Sequence, residues 1–318
     1  MRVLLTGATG FVGAGLTKRI SELTNLQLFA AVRQQVRSFP GGVTAVQVAD
    51  LAPDTDWREA LVGVEVVIHS AARVHVMNDE AADSLAEYRR VNMAGTLNLA
   101  RQAVDAGVKR FIFISSIKVN GEGTPLGRPF KTDDIPAPVD PYGISKLEAE
   151  RGLQALAHET GLEVVIIRPV LVYGPGVKAN FLSMMSWLQR RIPLPLGAIH
   201  NKRSMVALDN LVDLIITCID HPRAANQVFL VSDGEDLSTT ELLQRTGRAL
   251  GRPARLLPVP ASLLKLAARL MGKPGIAQRL CGSLQVDISK TRTLLGWTPP
   301  VTVDDALIKT ARYFQDQR

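Results

Sequence analysis

The sequence predicts an α/β fold, a doubly wound parallel sheet with a smaller C-terminal lobe. Three observations predict it. A glycine-rich turn, TGATGFVG at residues 6–13, follows one apolar run and opens a helical pattern. Short apolar runs then alternate with helical segments through the first half, as parallel strands joined by crossover helices do. After Tyr173-Gly-Pro175 the texture changes, and Pro193, Pro195 and Gly197 interrupt the chain.

The elements follow in order. Residues 3–5, 28–32, 43–48, 64–68, 110–114 and 164–167 read as strands; several are apolar throughout, as strands covered on both faces are. Helical patterns fall at 13–23, 57–62, 84–106 and 142–159. Residues 1–173 are the expected dinucleotide-binding domain. Residues 174–318 are mainly a substrate-binding lobe, and the chain returns to the first domain near 204–219. A helix is expected at 208–219, then a strand at 227–231, then a helix capped by Ser238 and running through Leu250. Residues 261–271 form an apolar helix carrying Lys265 and Arg269. It reads as a lobe helix on the core, in preference to one meeting a membrane or a partner.

Composition excludes several classes. Hydrophobic residues make up 46% of 318, so a sizeable core is available. No apolar run approaches the ~18 residues that span a bilayer, so no membrane insertion is expected. The N-terminus starts on a strand pattern rather than a secretion leader. Cys218 and Cys281 stand in no CxxC pair, which suits free thiols in a reducing cytoplasm. The five histidines do not cluster, so no metal is expected. The net charge is +7, but the basic residues are spread along the chain. That pattern argues against nucleic acid, and phosphate ligands explain part of the excess.

The glycine loop has a definite chemistry. Gly7 permits a tight turn, Gly10 leaves room for a phosphate, and Gly13 lets the helix pack closely on the sheet. The helix N-terminus offers free N–H groups to the anion. This is the Rossmann fingerprint, and it assigns Gly7, Thr9, Gly10, Phe11 and Val12 to a dinucleotide. The second strand ends Ala31-Val32-Arg33, without the acid that would hold the 2′-hydroxyl of NAD. Arg33, with Arg37 nearby, suits a 2′-phosphate, so NADP(H) is expected and NAD is the alternative. Asp50 and Leu51 close the third strand and face the adenine. Ala71 and Ala72 of His69-Ser-Ala-Ala72 let the backbone run beside the cofactor.

Tyr142 and Lys146 lie four apart near the start of a helix, on one face. A neighbouring ammonium is expected to lower the phenol from its ordinary value of about 10. Such a tyrosine exchanges a proton with a carbonyl or alkoxide oxygen. Ser115 and Ser116 end the fifth strand, where a hydroxyl can bond the same oxygen.

With these motifs together, the chain resembles the extended short-chain dehydrogenases/reductases, in the branch of nucleotide-sugar epimerases, dehydratases and reductases. The resemblance covers nearly the whole chain and rests on TGATGFVG at 6–13, HSAA at 69–72, VNMAGT at 91–96, ISSIKVNG at 114–121, YGISK at 142–146 and RPVLVYGP at 168–175. It implies Ser116 as the catalytic serine and Tyr142 as the acid/base. Lys146 would be the partner of Tyr142 and hold the nicotinamide ribose. Asn92 and Pro169 would border the cofactor, with Asn92 supporting the site. Asn180 and Arg203 would hold a diphosphate, with Arg279 as a third contact. Lys118, His75 and Asn120 would line the sugar pocket. A homodimer through helices 84–106 and 142–159 is also implied.

Two departures shape the expected reaction. Ile117-Lys118 replaces the Asp-Glu pair of the dehydratases, which argues against dehydration. Val32-Arg33 matches NADPH-dependent reductases. The leading expectation is therefore NADPH-dependent reduction of the C4 ketone of a UDP-4-keto-6-deoxy-N-acetylhexosamine, for surface-polysaccharide synthesis. The alternative is a UDP-glucose or UDP-GlcNAc 4-epimerase with bound NAD, using the same residues. A third reading is a non-catalytic NADP-sensing regulator; such proteins usually lose the Tyr or Lys, and both are intact here.

Overall fold

Val3, Leu4 and Leu5 are fully buried, so the first strand is covered on both faces. A computed structural model describes residues 1–34, 39–74 and 83–317. Its strands are β1 (Arg2–Thr6), β2 (Gln27–Val32), β3 (Val43–Gln47), β4 (Val66–His69), β5 (Arg110–Ile114), β6 (Glu163–Pro169), β7 (Leu171–Tyr173), β8 (Arg203–Ala207), β9 (Gln227–Val231) and β10 (Asp236–Leu237). Its helices are α1 (Phe11–Ser21), α2 (Ser84–Tyr88), α3 (Thr96–Asp105), α4 (Pro141–Thr160), α5 (Ala179–Gln189), α6 (Leu208–Asp220), α7 (Thr239–Ala249), α8 (Ala261–Leu270), α9 (Pro274–Cys281), α10 (Ser289–Leu295) and α11 (Val303–Asp316).

Seven strands form one parallel sheet in the order β3-β2-β1-β4-β5-β6-β9. The order reverses between β1 and β4, the position at which open α/β sheets bind ligands beyond the carboxyl ends of their strands. One face of the sheet packs under α1 and α6, through Leu16, Ile20, Leu211 and Ile215. The other packs under α3 and α4, through Leu99, Ala103 and Leu153. The expected α/β fold is therefore present. A second sheet, β10-β8-β7, and a third apolar cluster centred on Tyr173, Phe181 and Leu243 build the lobe.

Local chemistry sets the helix ends. The Asp140 side chain accepts from the Gly143 N–H at 2.6 Å and Pro141 opens α4, while Gly161 closes it at φ +78°. Ser238 and Glu241 form a reciprocal capping box on α7.

Two helical expectations are corrected. Residues 57–62 form turns rather than a helix: Leu61 N–H reaches Trp57 C=O at 3.0 Å, and Gly63 at φ +67° ends the turn. The apolar spacing there reflects burial of Trp57, Ala60 and Leu61 in the core. Residues 84–106 are not one uniform α-helix. A π-helical stretch, Arg89–Gly95, separates α2 from α3, and it carries Asn92 into the interior.

Among the described residues, no helix is long and apolar enough to cross a membrane, and no group of three or more potential ligands could hold a metal.

Candidate active site

The glycine loop fits a pyrophosphate. Gly7 sits at φ +72°, and a Cβ there would lie 2.8 Å from the Ala71 nitrogen. A Cβ on Gly13 would come 2.0 Å from the Gly7 carbonyl oxygen, so only glycine lets α1 rest on the loop. Gly10 N–H closes the turn on Gly7 C=O at 2.9 Å. Gly10 is also the N-cap of α1; no side chain caps it and no acid lies in the first turn. The orphan N–H groups of that turn, those of Phe11 and Val12 among them, therefore suit an anion. Thr9 and Gly10 are exposed beside them.

At the carboxyl end of β4, Thr6 Oγ1 lies 2.7 Å from His69 Nδ1, and His69 Nε2 lies 2.9 Å from Thr96 Oγ1. Burial, helped by the Lys146 charge, pushes the imidazole down to about 3, so it is neutral. Ser70 Oγ donates to Thr6 C=O and Ala71 N–H donates to Thr6 Oγ1, at 2.8 and 3.2 Å. Ala71 and Ala72 are thereby fixed beside the glycine loop. Asn92 grips Arg73 through both backbone groups, at 2.8 and 3.0 Å, and donates to Ser145 Oγ at 3.1 Å. Ser145 donates in turn to Tyr142 C=O at 2.8 Å. The loop after β4 is thus tied to the first turn of α4.

Ser116 follows β5 in extended backbone, and its Oγ accepts from Lys118 N–H at 3.2 Å. The start of α4 presses on this turn: a Cβ on Gly143 would lie 2.8 Å from Lys118 C=O. Lys146 Nζ donates to Ile114 C=O at 2.8 Å and lies 4.3 Å from the Phe113 ring centre and 6.0 Å from that of Tyr142. Burial pushes Lys146 down to about 7, against the pull of Glu150. The Tyr142 phenol is pushed up, by burial first and then by Asp140 and Tyr88. The expectation that Lys146 lowers Tyr142 is corrected here. The ammonium is spent on a carbonyl, and desolvation outweighs it.

Several other expected residues are already engaged. Arg33 Nη1 pairs with Asp50 Oδ1 at 2.9 Å, and both side chains are exposed. Leu51 lies against Gly95, where a Cβ would meet its Cγ at 3.1 Å. Pro169 is buried at the end of β6. Lys118 Nζ is hydrogen-bonded to Asp140. Asn120, expected in the sugar pocket, is instead buried and accepts from Arg168 at 3.0 Å. Asn180 is exposed on the first turn of α5. Arg203 Nη1 donates to the carbonyls of Arg279 and Gly282, at 3.2 and 3.1 Å, and burial lowers its pKa. The Arg279 side chain is exposed on α9 and donates to Gly275 C=O at 3.2 Å. Arg37 and His75 lie outside the described residues.

Sequence reasoning missed one buried cluster. Arg168 Nη2 pairs with Glu150 Oε2 at 2.6 Å, and Ser115 Oγ donates to Glu150 Oε1 at 2.5 Å. Glu150 lies one turn beyond Lys146 on α4. The available signal was a second i,i+4 step after YxxxK that ends in an acid. Two surface depressions, of about 700 and 380 Å³, lie elsewhere; neither is lined by Ser116, Tyr142 or Lys146.

A Rossmann sheet with a glycine loop, a strand-end serine and a Tyr–Lys helix defines a nucleotide-dependent oxidoreductase scaffold. Residues 3–232 match the NAD dependent epimerase/dehydratase family, and the chain belongs to it. It is 55% identical over 313 residues to a UDP-glucose 4-epimerase of Vibrio cholerae, covering 98% of this chain and 95% of that one. A Thermotoga maritima UDP-glucose 4-epimerase, solved with UDP-glucose, shares the fold at a TM-score of 0.78 and 23% identity, over 100% and 99% of the two chains. A Bacillus cereus UDP-glucuronic acid 4-epimerase, solved with NAD, gives 0.78 at 19% identity over the same shares.

The 55% relative overturns the expected 4-ketoreductase, and the epimerase alternative is the better supported. The reason is physical. Ile117-Lys118 argues against dehydration and Arg33 bears on the cofactor's 2′ position, but neither decides whether the hydride leaves with the product or returns to the sugar.

Proposed function

We propose that the protein is a UDP-sugar 4-epimerase that inverts C4 of UDP-glucose or UDP-GlcNAc with a retained nicotinamide dinucleotide. The 55% identity to an epimerase over almost the whole chain carries this reading. In it, residues 1–173 with the returning segment hold the cofactor, and residues 174–318 mainly hold the sugar nucleotide. Gly7, Thr9, Gly10, Phe11 and Val12 cradle the pyrophosphate. Asp50 and Leu51 flank the adenine half. Ala71, Ala72, Asn92 and Pro169 border the other half, and Lys146 holds its ribose. Asn180, Arg203 and Arg279 face the UDP diphosphate, which suits forked and amide donors.

When bound, an oxidised nicotinamide supplies a hydride acceptor and a positive charge. Ser116 holds the C4 oxygen by a hydrogen bond. Tyr142 would take the proton of the C4 hydroxyl and return it to the C4 oxygen when the opposite configuration forms. One hydride and one proton leave and both return, so no external reductant is consumed. Lys146 places its ammonium 6.0 Å from the Tyr142 ring centre.

We read the cofactor as NAD. The Arg33 fork is held by Asp50, so a 2′-phosphate would have to displace a carboxylate. An exposed pair of this kind is worth only ~0–1 kcal/mol, so the preference over NADP is one of degree. The reading also takes the chain as a homodimer through α2, α3 and α4, in the cytoplasm.

The experiment is to incubate purified protein with UDP-glucose and with UDP-GlcNAc, without added reductant, and follow the C4 epimer by proton NMR. Conversion is expected with at least one substrate. The Tyr142→Phe variant should lose about 10²–10⁴-fold in rate. Turnover that consumes NADPH stoichiometrically on a 4-keto sugar, with no epimerisation, would overturn the reading.

A further inference from the structure

The lobe carries a surface that the proposed reaction does not use. Helix α8 docks on the core through a narrow stripe, Ala261, Leu264 and Ala268. A second stripe at the same spacing, Leu263, Leu266 and Leu270, lies roughly opposite. These leucines are 55%, 54% and 79% exposed. Helix α9 repeats the pattern: Ala277 is buried, while Ile276 and Leu280 are exposed. Met271, between the two helices, is 67% exposed. Single exposed apolar side chains are ordinary; six on one helical hairpin mark an interaction surface.

Charge identifies the partner. Residues 242–286 hold eight Lys and Arg and no Asp or Glu. The rest of the chain has 29 basic residues against 30 acidic ones, so the whole positive excess resides in this segment. Lys265, Arg269 and Lys273 are exposed beside the leucines. The nearby carboxylates are already paired: Glu241 with Lys202, and Glu235 and Asp304 with Arg245. A second copy of this face would set like charges against each other, and a nucleic acid would leave the leucines without a role.

We propose that the α8–α9 hairpin docks on an anionic phospholipid surface. The leucine stripe enters the interface and the basic side chains meet the headgroups, as an interfacial amphipathic helix does without spanning the bilayer. The hairpin is tied to the lobe where Asn201 and Thr239 bond the Leu280 carbonyl, at 3.4 and 2.6 Å, and Arg203 bonds the Arg279 carbonyl. Docking therefore brings the proposed diphosphate side of the lobe next to the bilayer. This inference does not depend on which sugar or cofactor is used.

The test is co-sedimentation of the full chain with vesicles of phosphatidylcholine containing about a third phosphatidylglycerol, a content that gives a strongly anionic surface, and with vesicles of phosphatidylcholine alone. Binding is expected on the anionic vesicles and should weaken with salt. The L263S/L266S/L270S and K265E/R269E/K273E variants should each bind at least about tenfold more weakly. Both should keep the wild-type thermal midpoint, which separates lost docking from lost folding. No binding to anionic vesicles, equal binding to neutral ones, or undiminished binding by either variant would overturn the proposal. So would a wild-type dimer that the leucine variant splits into monomers, because the face would then be a contact between copies of the chain.

Discussion

Tyr142 and Lys146 share one helix face, yet burial pushes them in opposite directions. The phenol is held above its ordinary range and the amine is brought down to about 7. In the proposed reaction the ammonium of Lys146 supplies the positive charge beside Tyr142. Lys146 carries its charge below about pH 7 and loses it above. That positive charge is therefore lost as pH rises through that value, and the rate should fall there. The Lys146→Arg variant keeps its charge across the range and should lack this basic limb, at a lower overall rate. The check is the epimerisation rate constant from about pH 5.5 to about 11.5, a range that covers both a limb near 7 and a reference lysine near 10.4. A limb close to 10.4 in the wild type would show that burial of Lys146 does not govern the site.

Helix α4 carries the site residues and, one turn further along the same face, a buried charge. Glu150 is 1% exposed and Arg168, on β6, is 4% exposed; each holds the other, with Ser115 and Asn120 completing the set. The cluster fastens α4 to β5 and β6, the strands whose ends lie beside Ser116. Removing one partner leaves an uncompensated charge in the interior. The Arg168→Met variant should lose about 3–5 kcal/mol of stability, while the double variant with Glu150→Gln should recover much of that loss. Urea unfolding of the three proteins checks it. Equal loss in the single and double variants would mean that packing, and not the stranded carboxylate, sets the cost. Gly13 acts at the same scale: its missing Cβ is what lets α1 begin against the loop.

Across the whole molecule, what was legible in the sequence was what is local. The strands could be read because Val3, Leu4, Leu5, Ile112 and Ile167 are apolar on both faces of a covered sheet. The glycine loop and the Tyr–Lys pair could be read because their chemistry lies in spacing alone. Partners far apart in sequence stayed hidden. Arg33 meets Asp50 17 residues away, and Arg110 reaches the carbonyls of Cys218 and Ile219 more than 100 residues away. The direction of the Tyr142 shift was also hidden, because desolvation belongs to the assembled fold. His69 shows the same limit and gives a prediction for the molecule as a whole. It joins β1, β4 and α3 as a buried neutral ring with a pKa of about 3, against 6.5 when exposed. Between those values the unfolded chain binds a proton that the folded chain excludes. Stability from this group is therefore complete above about pH 6.5 and is lost as pH falls toward 3. Unfolding free energy should drop by up to ~1.4 kcal/mol per pH unit in that window on account of His69 alone. Lys146 acts with the same sign between about 7 and 10.5, since its folded pKa is also depressed, so stability rises with pH there too. The His69→Asn variant keeps a polar group at β4 but cannot titrate, and its stability should depend less steeply on pH. The measurement is tryptophan-monitored urea unfolding at pH 4.5, 5.5 and 6.5, inside the window set by the two pKa values. Equal slopes for the two proteins would show that His69 takes up its proton without the fold having to open.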